Sequence, residues 1–168
     1  MEPSTGDYAK AGPWRRMVLK TAPTRPMTWL YTRIQRPLDE RVYRLTRGRA
    51  TLSSALAGLP VVMLTTTGAR SGQPRTVPLV AVPEGDRFIV VASNYGGAHH
   101  PAWYHNLRAH PRATVSVRGQ VREVMARELS GAERDACFRR AVRLYPGFVT
   151  YRERATHRDI PVLVLEPR

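Results

Sequence analysis

The sequence predicts an α+β fold in which a small antiparallel β-barrel is flanked by helices. Three observations lead to this prediction. Short β-branched runs follow one another as hairpins between residues 59 and 128, helical patterns flank them, and a last apolar run near the carboxyl terminus returns from far along the chain. Consecutive hairpins joined by a distant strand are typical of small barrels. The 168 residues, 42% of them hydrophobic, suit one domain with a complete core.

The amino-terminal part of the chain carries two patterns. Residues 1–24 combine several Pro and Gly residues with scattered charge, which predicts an irregular segment. Over 25–46 the apolar positions recur at helical spacing, interrupted at Pro37, so we expect a helix there that begins a single domain over 25–168. This basic amphipathic segment has two interpretations: it covers the core of its own domain, or it gives peripheral contact with the inner face of an anionic membrane.

Short β-branched runs predict the strands of the barrel. The first run covers 59–67, and Gly68 ends it. A turn over 83–86 and another at Arg118-Gly119 each separate two such runs, as in hairpins. The remaining predicted strands cover 75–82, 87–93, 113–117, 120–128 and 161–165.

Helical signals follow the third predicted strand. Pro at the first helical position begins a short helix over 101–107. Ser130 and Glu133 match a capping box, in which the hydroxyl and the carboxylate each bond an otherwise unpaired N–H group, so a helix should begin there and run to about residue 144. A further short helix is expected around 149–154.

The charge of the chain is strongly basic. There are 27 Lys plus Arg against 13 Asp plus Glu, a formal net charge of +14, and all but two of the basic residues are Arg. Because forked guanidinium groups recognise phosphate and carboxylate bidentately, we expect a polyanionic partner. Nucleic acid fits the charge, but no predicted strand interleaves Arg with exposed aromatic residues, and we predict no nucleic-acid partner.

Residue content disfavours several classes of protein. Cys137 is the single cysteine, which excludes an internal disulfide and a cysteine-based zinc site and suits a reducing compartment. The His residues lack a ligand pattern such as His-Glu-x-x-His, so we predict no metal site, and no Gly-x-Ser-x-Gly elbow is present. No apolar run reaches the roughly 18 residues of a membrane helix and no secretory signal core is seen, so we expect a cytoplasmic protein.

An anion-binding turn is predicted between the first two strands. The segment Leu-Thr-Thr-Thr-Gly-Ala-Arg-Ser-Gly-Gln-Pro-Arg over 64–75 joins an apolar strand to two Gly residues, hydroxyl groups and two Arg. Gly68 and Gly72 permit backbone conformations that direct several N–H groups to one place, and Arg70 and Arg75 can donate forked hydrogen bonds. The alternative is an ordinary surface hairpin with solvated Arg side chains.

Six segments of the chain together resemble the deazaflavin-dependent nitroreductase family, in the right order and spacing over most of 38–167. They are the turn over 64–75, Leu-Asp-Glu-Arg-Val-Tyr-Arg-Leu-Thr-Arg over 38–47, Val-Ala-Ser-Asn over 91–94, His-Pro-Ala-Trp-Tyr-His-Asn-Leu over 100–107, the segment 144–151 that begins Leu-Tyr-Pro and ends in Tyr, and Ile-Pro-Val-Leu-Val-Leu-Glu-Pro over 160–167. The resemblance implies a split β-barrel related to proteins that bind flavin mononucleotide. It also implies coenzyme F(420), an 8-hydroxy-5-deazaflavin with a phosphodiester and a glutamate tail, as the cofactor.

The activity implied by this resemblance is transfer of a hydride from the reduced deazaflavin to a small electron-poor acceptor, such as an activated C=C bond, a quinone or a nitro compound. Two alternatives remain open at the level of sequence. One is a reductase on the same fold that uses flavin mononucleotide, and the other is a non-catalytic basic module that binds nucleic acid. The sequence does not predict the oligomeric state.

The resemblance also assigns roles to residues. Tyr151 and Tyr145 would line the substrate side, where a phenol can orient an acceptor or donate a proton, and Ser93 is counted with them as catalytic. The turn would hold the phosphate, the loop over 91–94 would hold the deazaflavin by backbone contacts, and Trp103 would pack nearby. The implied cofactor-binding residues are Thr67, Gly68, Arg70, Ser71, Gly72, Arg75, Val77, Pro78, Ala92, Ser93, Asn94, Trp103 and Asn106.

Three positions depart from the pattern of the family. Ala69 and Asn94 stand where many relatives carry a basic residue, so anion binding should depend on other Arg residues. Phe148 stands where a nitroimidazole-reducing member carries Tyr. The resemblance therefore supports hydride transfer more strongly than it supports nitro reduction as the natural activity.

Overall fold

A computed structural model describes residues 58–168 and four isolated positions before them, Gly12, Met17, Pro23 and Thr24. The predicted irregular segment 1–24 and helix 25–46 otherwise lie outside the described residues. Within 58–168 the chain forms six strands and three α-helices. The strands are β1 (Val61–Thr67), β2 (Pro74–Glu84), β3 (Arg87–Val91), β4 (Arg112–Val117), β5 (Gln120–Glu128) and β6 (Val162–Pro167). The helices are α1 (Ala102–Ala109), α2 (Gly131–Leu144) and α3 (Gly147–Arg154).

The strands of the described region close into a barrel in the order β1-β2-β3-β6-β5-β4, with every neighbouring pair antiparallel. The last strand is inserted between β3 and β5, and β1 pairs with β4 to complete the ring. Closure pairs the edges that an open sheet would leave exposed. The predicted α+β class and antiparallel barrel with flanking helices are confirmed.

Alternation along the strands divides the buried side chains between two clusters. In β6, Leu163 and Leu165 join a cluster that includes Trp103 of α1 and Leu64 of β1, while the intervening Val residues join a second cluster with α2 and α3. This division follows from the period of two in a strand, because successive side chains point to opposite faces of the sheet. Helices α2 and α3 therefore cover the outer face of the sheet at β3 and β6, whereas α1 packs against the side chains of the inner face.

The predicted capping box at the start of α2 is wrong. Ser130 occupies the cap position, but its side chain makes no capping hydrogen bond. The Glu133 carboxylate instead accepts two hydrogen bonds of 3.0 Å from the forked guanidinium of Arg127 on β5. A bidentate charged pair competes effectively for a carboxylate that would otherwise reach back to the cap.

Several predicted boundaries also shift by a few residues. Pro101 has extended backbone (φ −67°, ψ 151°) and precedes α1, which runs two residues beyond the predicted end. The turn predicted over 83–86 is the tight pair Gly85-Asp86, because Glu84 already pairs with Arg87 across the hairpin. None of the helices in the described part of the chain is both long and apolar enough to span a membrane.

Candidate cofactor and substrate site

The turn between β1 and β2 uses part of its backbone to hold its shape. Gly68 N–H donates to the Gln73 carbonyl (2.9 Å), and Gly72 N–H donates to the Gly68 carbonyl (2.8 Å). The Ser71 hydroxyl accepts a hydrogen bond from Gln73 N–H (3.3 Å). A Cβ atom at residue 68 would lie 2.6 Å from the Ser71 hydroxyl oxygen and 3.1 Å from the Gln73 carbonyl oxygen. A larger residue there would displace the Ser71 hydroxyl and press on the Gln73 carbonyl of the turn.

The same turn presents a set of exposed donors. Arg70 and Arg75 are exposed, and neither forms an ion pair with a described residue. The backbone N–H groups of Arg70 and Ser71 also make no hydrogen bond within the described part of the chain. Guanidinium and N–H groups only donate, so their combination suits a phosphate or a carboxylate. Fewer N–H groups are available to an anion than the two Gly residues suggested. The other N–H groups of the turn bond within the turn or to Asn106.

A buried carboxamide on α1 forms hydrogen bonds with this turn and with the end of β1. Asn106, 7% exposed, accepts a hydrogen bond from Ala69 N–H (2.9 Å) and donates one to the Thr66 hydroxyl (2.9 Å). The Thr66 hydroxyl in turn donates to the Arg75 carbonyl (3.3 Å). The resemblance assigned Asn106 to the cofactor, which stays a prediction; in the structure its carboxamide joins α1 to Thr66 of β1 and to Ala69 of the turn.

The loop after β3 passes through left-handed backbone. Asn94, Tyr95 and Gly96 have φ values of 45°, 56° and 77°. Asn tolerates this region, but a bulky residue such as Tyr rarely occupies it. A Cβ atom at Gly96 would lie 2.8 Å from the Tyr151 carbonyl oxygen and 2.6 Å from Cβ of Arg154. The loop therefore packs directly against α3.

Arg158, a residue that sequence reasoning missed, lies beneath this loop. Its Nη2 donates to the Ser93 carbonyl (2.7 Å) and its Nε donates to the Gly97 carbonyl (3.0 Å). Its Nη1 lies 3.1 Å from Nδ1 of His100 and 3.4 Å from the Ala92 carbonyl oxygen. No sequence signal identified Arg158, because it precedes the last strand and is distant from the loop along the chain.

Burial and nearby charge shift the pKa values of Arg158 and His100. Burial lowers the pKa of Arg158. Burial, followed by the positive charge of Arg158 and then by His105, also lowers the pKa of His100 from its usual 6.5. A neutral His100 can accept the Arg158 hydrogen bond at Nδ1, whereas a protonated one cannot. Within the described residues, no group of three or more His, Cys, Asp or Glu could hold a metal ion.

The two predicted catalytic tyrosines form a pair. The hydroxyl groups of Tyr145 and Tyr151 lie 3.0 Å apart, and the residues are only 6% and 4% exposed. The ring of Tyr95, from the loop after β3, meets Tyr151 edge-on with 5.7 Å between centroids. Phe148 packs edge-on against Tyr145 at 5.3 Å. The structure thus brings the predicted deazaflavin loop and the predicted substrate phenols into contact.

Barrel topology explains why these parts meet. In an antiparallel ring of this order, the end of β1, the end of β3 and the start of β6 all lie at one end of the barrel. The anion turn, the loop over 92–97 and the Arg158 segment consequently share that end. Helix α1 follows the loop, and its Asn106 reaches the turn.

The predicted cofactor-binding residues lie at four places in the structure: the turn, the loop after β3, strand β2 and helix α1. Thr67 ends β1 beside the turn residues, and Ala92, Ser93 and Asn94 form the first part of the loop. Val77 and Pro78 lie on β2, paired with Leu64 and Met63 of β1. Trp103 is 7% exposed within the cluster that joins α1 to the barrel.

Comparison with known proteins identifies the family. Residues 36–167 match the family model described as F(420)H(2)-dependent quinone reductase. A protein of Mycobacterium tuberculosis strain H37Rv named as an F(420)H(2)-dependent quinone reductase is 34% identical over 140 residues, which cover 78% of this chain and 89% of that protein.

Two solved structures are also similar. A reductase dependent on reduced F(420), called FDR-A, is 42% identical with a TM-score of 0.59, and the alignment covers 64% of this chain and 94% of that one. A structure described as a domain-swapped dimer is 35% identical with a TM-score of 0.62 and covers 84% of this chain and 99% of that one.

These findings confirm the predicted resemblance, split-barrel fold, reductase class and deazaflavin cofactor at the level of the family. The family model spans nearly all of the described barrel and its helices. The chain belongs to the F(420)H(2)-dependent quinone reductase family.

Proposed function

We propose that this protein reduces a quinone, or a similarly electron-poor acceptor, with a hydride from reduced coenzyme F(420). The observation that carries the proposal is that the turn with its exposed donors and the left-handed loop lie at the same end of the barrel, and that Tyr95 of this loop packs against Tyr151 of the buried tyrosine pair. The names of the related proteins favour a quinone as acceptor over a nitro compound.

The residues of the turn fit the anionic part of this cofactor. A phosphodiester and carboxylates need hydrogen-bond donors, and Arg70 and Arg75 offer exposed guanidinium groups beside the N–H groups of Arg70 and Ser71. The close packing at Gly68 keeps the turn in this shape. We propose that the turn holds the phosphodiester, with Gly72 and Thr67 shaping its two sides.

The loop over 92–94 is proposed to hold the deazaflavin ring through backbone groups. When bound, the cofactor supplies a hydride from carbon five of its ring. Val77 and Pro78 on β2, together with Trp103 of α1, are proposed to form the apolar surroundings of the ring. FMN remains the alternative cofactor for this barrel, and the anion turn would hold its phosphate in the same way.

The tyrosine pair is proposed to supply the proton that the reduced acceptor takes up. Hydride addition to a quinone leaves negative charge on oxygen, which must be protonated, and an ordinary phenol with a pKa of about 10 is a protonated donor at neutral pH. The hydroxyl groups of Tyr145 and Tyr151 lie 3.0 Å apart, so a hydrogen bond between them links the two phenols. We propose Tyr151 as the donor, with Tyr145 and Ser93 orienting the acceptor.

The test is steady-state oxidation of reduced F(420) with a panel of quinones, enones and nitroaromatics. Quinones should give the highest kcat/KM values. Absorbance spectra of ligand bound to the purified protein separate deazaflavin, flavin mononucleotide and nucleic acid. Turnover with none of the acceptors, or retention of flavin or nucleic acid in place of deazaflavin, would reject the proposal.

One experiment separates the two interpretations of segment 25–46 and tests the proposed single domain over 25–168. Anionic and neutral liposomes are co-sedimented with the full chain and with a form that lacks residues 1–36. Peripheral contact at the cytoplasmic membrane face predicts that only anionic liposomes bind the full chain and that the shortened form stays folded but unbound. Loss of folding in the shortened form would assign the segment to the core.

A further inference from the structure

The loop after β3 has a backbone shape that needs external support. Asn94 and Tyr95 both have positive φ values, and left-handed backbone at non-Gly residues persists only when the surroundings enforce it. Within the loop itself, Gly96 N–H donates to the Ser93 carbonyl and Gly97 N–H donates to the Asn94 carbonyl, each at 2.9 Å. These two bonds close local turns but do not attach the loop to the barrel.

Arg158 supplies an attachment at both ends of the left-handed run. One nitrogen donates to the Ser93 carbonyl (2.7 Å), immediately before the run, and another donates to the Gly97 carbonyl (3.0 Å), immediately after it. The planar guanidinium fixes the distance and direction between these two donors. A residue with a single flexible donor group could not hold both carbonyl groups in the same geometry.

The partners of Arg158 are all neutral. Besides Ser93 and Gly97, its nitrogens reach the carbonyl oxygens of Ala92 and Asp159 at 3.4 Å and Nδ1 of His100 at 3.1 Å. No carboxylate forms an ion pair with it within the described part of the chain. Removing part of the Arg158 guanidinium from water without an acidic partner costs free energy unless hydrogen bonds replace the lost hydration. The carbonyl groups that accept these hydrogen bonds are therefore held in place.

The strand order of the barrel brings Arg158 next to the loop after β3. Val91 at the end of β3 pairs with Val162 at the start of β6, and Ala92 N–H extends the ladder to the Pro161 carbonyl (2.9 Å). The residues before β6 are therefore adjacent to the residues after β3. His157 adds a second contact, because its Nε2 donates to the Ala98 carbonyl (3.0 Å).

We propose that Arg158 is a positioning residue of this reductase, which holds the loop over 93–97 in the left-handed shape that receives the deazaflavin ring. This inference rests on the proposed function, since residues 92–94 at the start of this loop are assigned to the ring there. Arg158 acts through the loop backbone and is distinct from the Arg residues of the anion turn.

The first measurement uses the protein without cofactor. Arg158→Ala should raise amide hydrogen exchange over 93–97 by about tenfold or more, the effect of losing hydrogen bonds from a charged donor, while exchange in β1 and β4 stays unchanged. Arg158→Lys should give a smaller increase. The matched control is Arg139→Ala, because Arg139 is exposed on α2 and forms no hydrogen bond, ion pair or ring contact with a described residue. Unchanged exchange over 93–97, or a uniform rise across the barrel, would overturn the proposal.

The second measurement compares two ligands by fluorescence titration: whole F(420), and the deazaflavin riboside that lacks the phosphodiester and glutamate tail. Arg158→Ala should weaken both by about the same factor, tenfold or more, and millimolar guanidinium ion should restore part of the affinity. Arg75→Ala should weaken only whole F(420). Loss of affinity for whole F(420) alone in Arg158→Ala would overturn the proposal.

The two measurements separate this inference from the proposed function. If the wild-type protein binds neither ligand, the proposed function fails. The exchange experiment on the cofactor-free protein still decides whether Arg158 holds the loop. If the wild-type protein binds both ligands and Arg158→Ala binds them equally well, the function stands and the positioning role is rejected.

Discussion

The two phenol groups of Tyr145 and Tyr151 share a hydrogen bond of 3.0 Å at a buried position beside the loop. Tyr151→Phe keeps the ring that packs against Tyr95 and removes only the hydroxyl. We expect turnover to fall roughly 10²-fold or more, as for loss of a general acid, while cofactor affinity stays nearly intact. Tyr145→Phe should cost less if Tyr145 mainly orients the acceptor. The measurement is kcat and KM with quinones, and wild-type rates for Tyr151→Phe would assign the proton to water or another residue.

His100 gives a prediction of pH dependence. Its pKa is lowered chiefly by burial, then by the charge of Arg158 and by His105; Arg108 lowers it further and Glu128 raises it. Because the folded state disfavours protonated His100, the unfolded state binds more protons below a pH of about 6.5. This contribution to stability is therefore present above that pH and is lost as pH falls through the folded pKa, by at most about 1.4 kcal/mol per pH unit.

The control for this prediction is His100→Asn, in which the carboxamide oxygen keeps an acceptor for Arg158 and does not titrate. Its free energy of unfolding should fall less than that of the wild-type protein between neutral pH and about pH 5.5. Urea unfolding at several pH values measures the difference. Equal pH slopes for the two proteins would show that protonation of His100 carries no folding cost.

At the scale of elements, the start of α3 leaves room for the ring of Tyr145, one of the two buried tyrosines. A Cβ atom at Gly147 would lie within 2.6 Å of three atoms at the hydroxyl end of Tyr145. Gly147→Ala should therefore displace that ring and break its contact with Tyr151, lowering kcat/KM by roughly 10- to 100-fold. Ala stabilises a helix by about 1 kcal/mol relative to Gly, so Gly147→Ala should not weaken α3 itself. A fall in activity would therefore come from the displaced ring.

Thr150→Ala is the matched substitution, because it lies three residues further along α3. It should leave kcat/KM near the wild-type value. Thermal unfolding of both variants shows whether the fold is kept. Wild-type kinetics in Gly147→Ala would mean that the tyrosine pair tolerates the extra methyl group and that its geometry does not limit the rate.

At the scale of the whole molecule, the net charge of +14 bears on a cofactor with several negative charges. The donors of the anion turn are exposed, so their attraction to phosphate and carboxylate is screened by salt over a distance of about 10 Å at 0.1 M. Affinity for whole F(420) should weaken several-fold as salt rises and should strengthen with a longer glutamate tail.

The deazaflavin riboside is the internal control for this charge effect, because it lacks the anionic tail. Its affinity should change little with salt, since the loop over 92–94 is proposed to bind it through backbone groups. Fluorescence titration at low and high salt makes the comparison. Equal salt dependence for the two ligands would contradict the division of the site into an anion turn and a ring loop.

Much of the barrel and of the candidate site followed from local sequence pattern. The hairpin over 112–128 has the predicted two-residue turn, where Arg118 and Gly119 adopt φ values of 50° and 84°. A turn also joins β1 to β2 where the Gly residues indicated, and its proposed anion binding stays a prediction. Strand alternation, turn residues and short motifs are local properties, so a single sequence displays them directly.

Partners across the barrel could not be predicted in the same way. Glu133 fits a capping box by spacing, yet its carboxylate binds Arg127 of β5. Arg158 resembles any other surface Arg in the sequence. Its position under the loop exists only because β6 inserts between β3 and β5. The sequence by itself determined the strands, the position of the turn between β1 and β2 and the family, because these depend on neighbouring residues. Tertiary structure alone decided which charged side chain hydrogen-bonds the loop over 93–97, because that choice depends on which strands become neighbours.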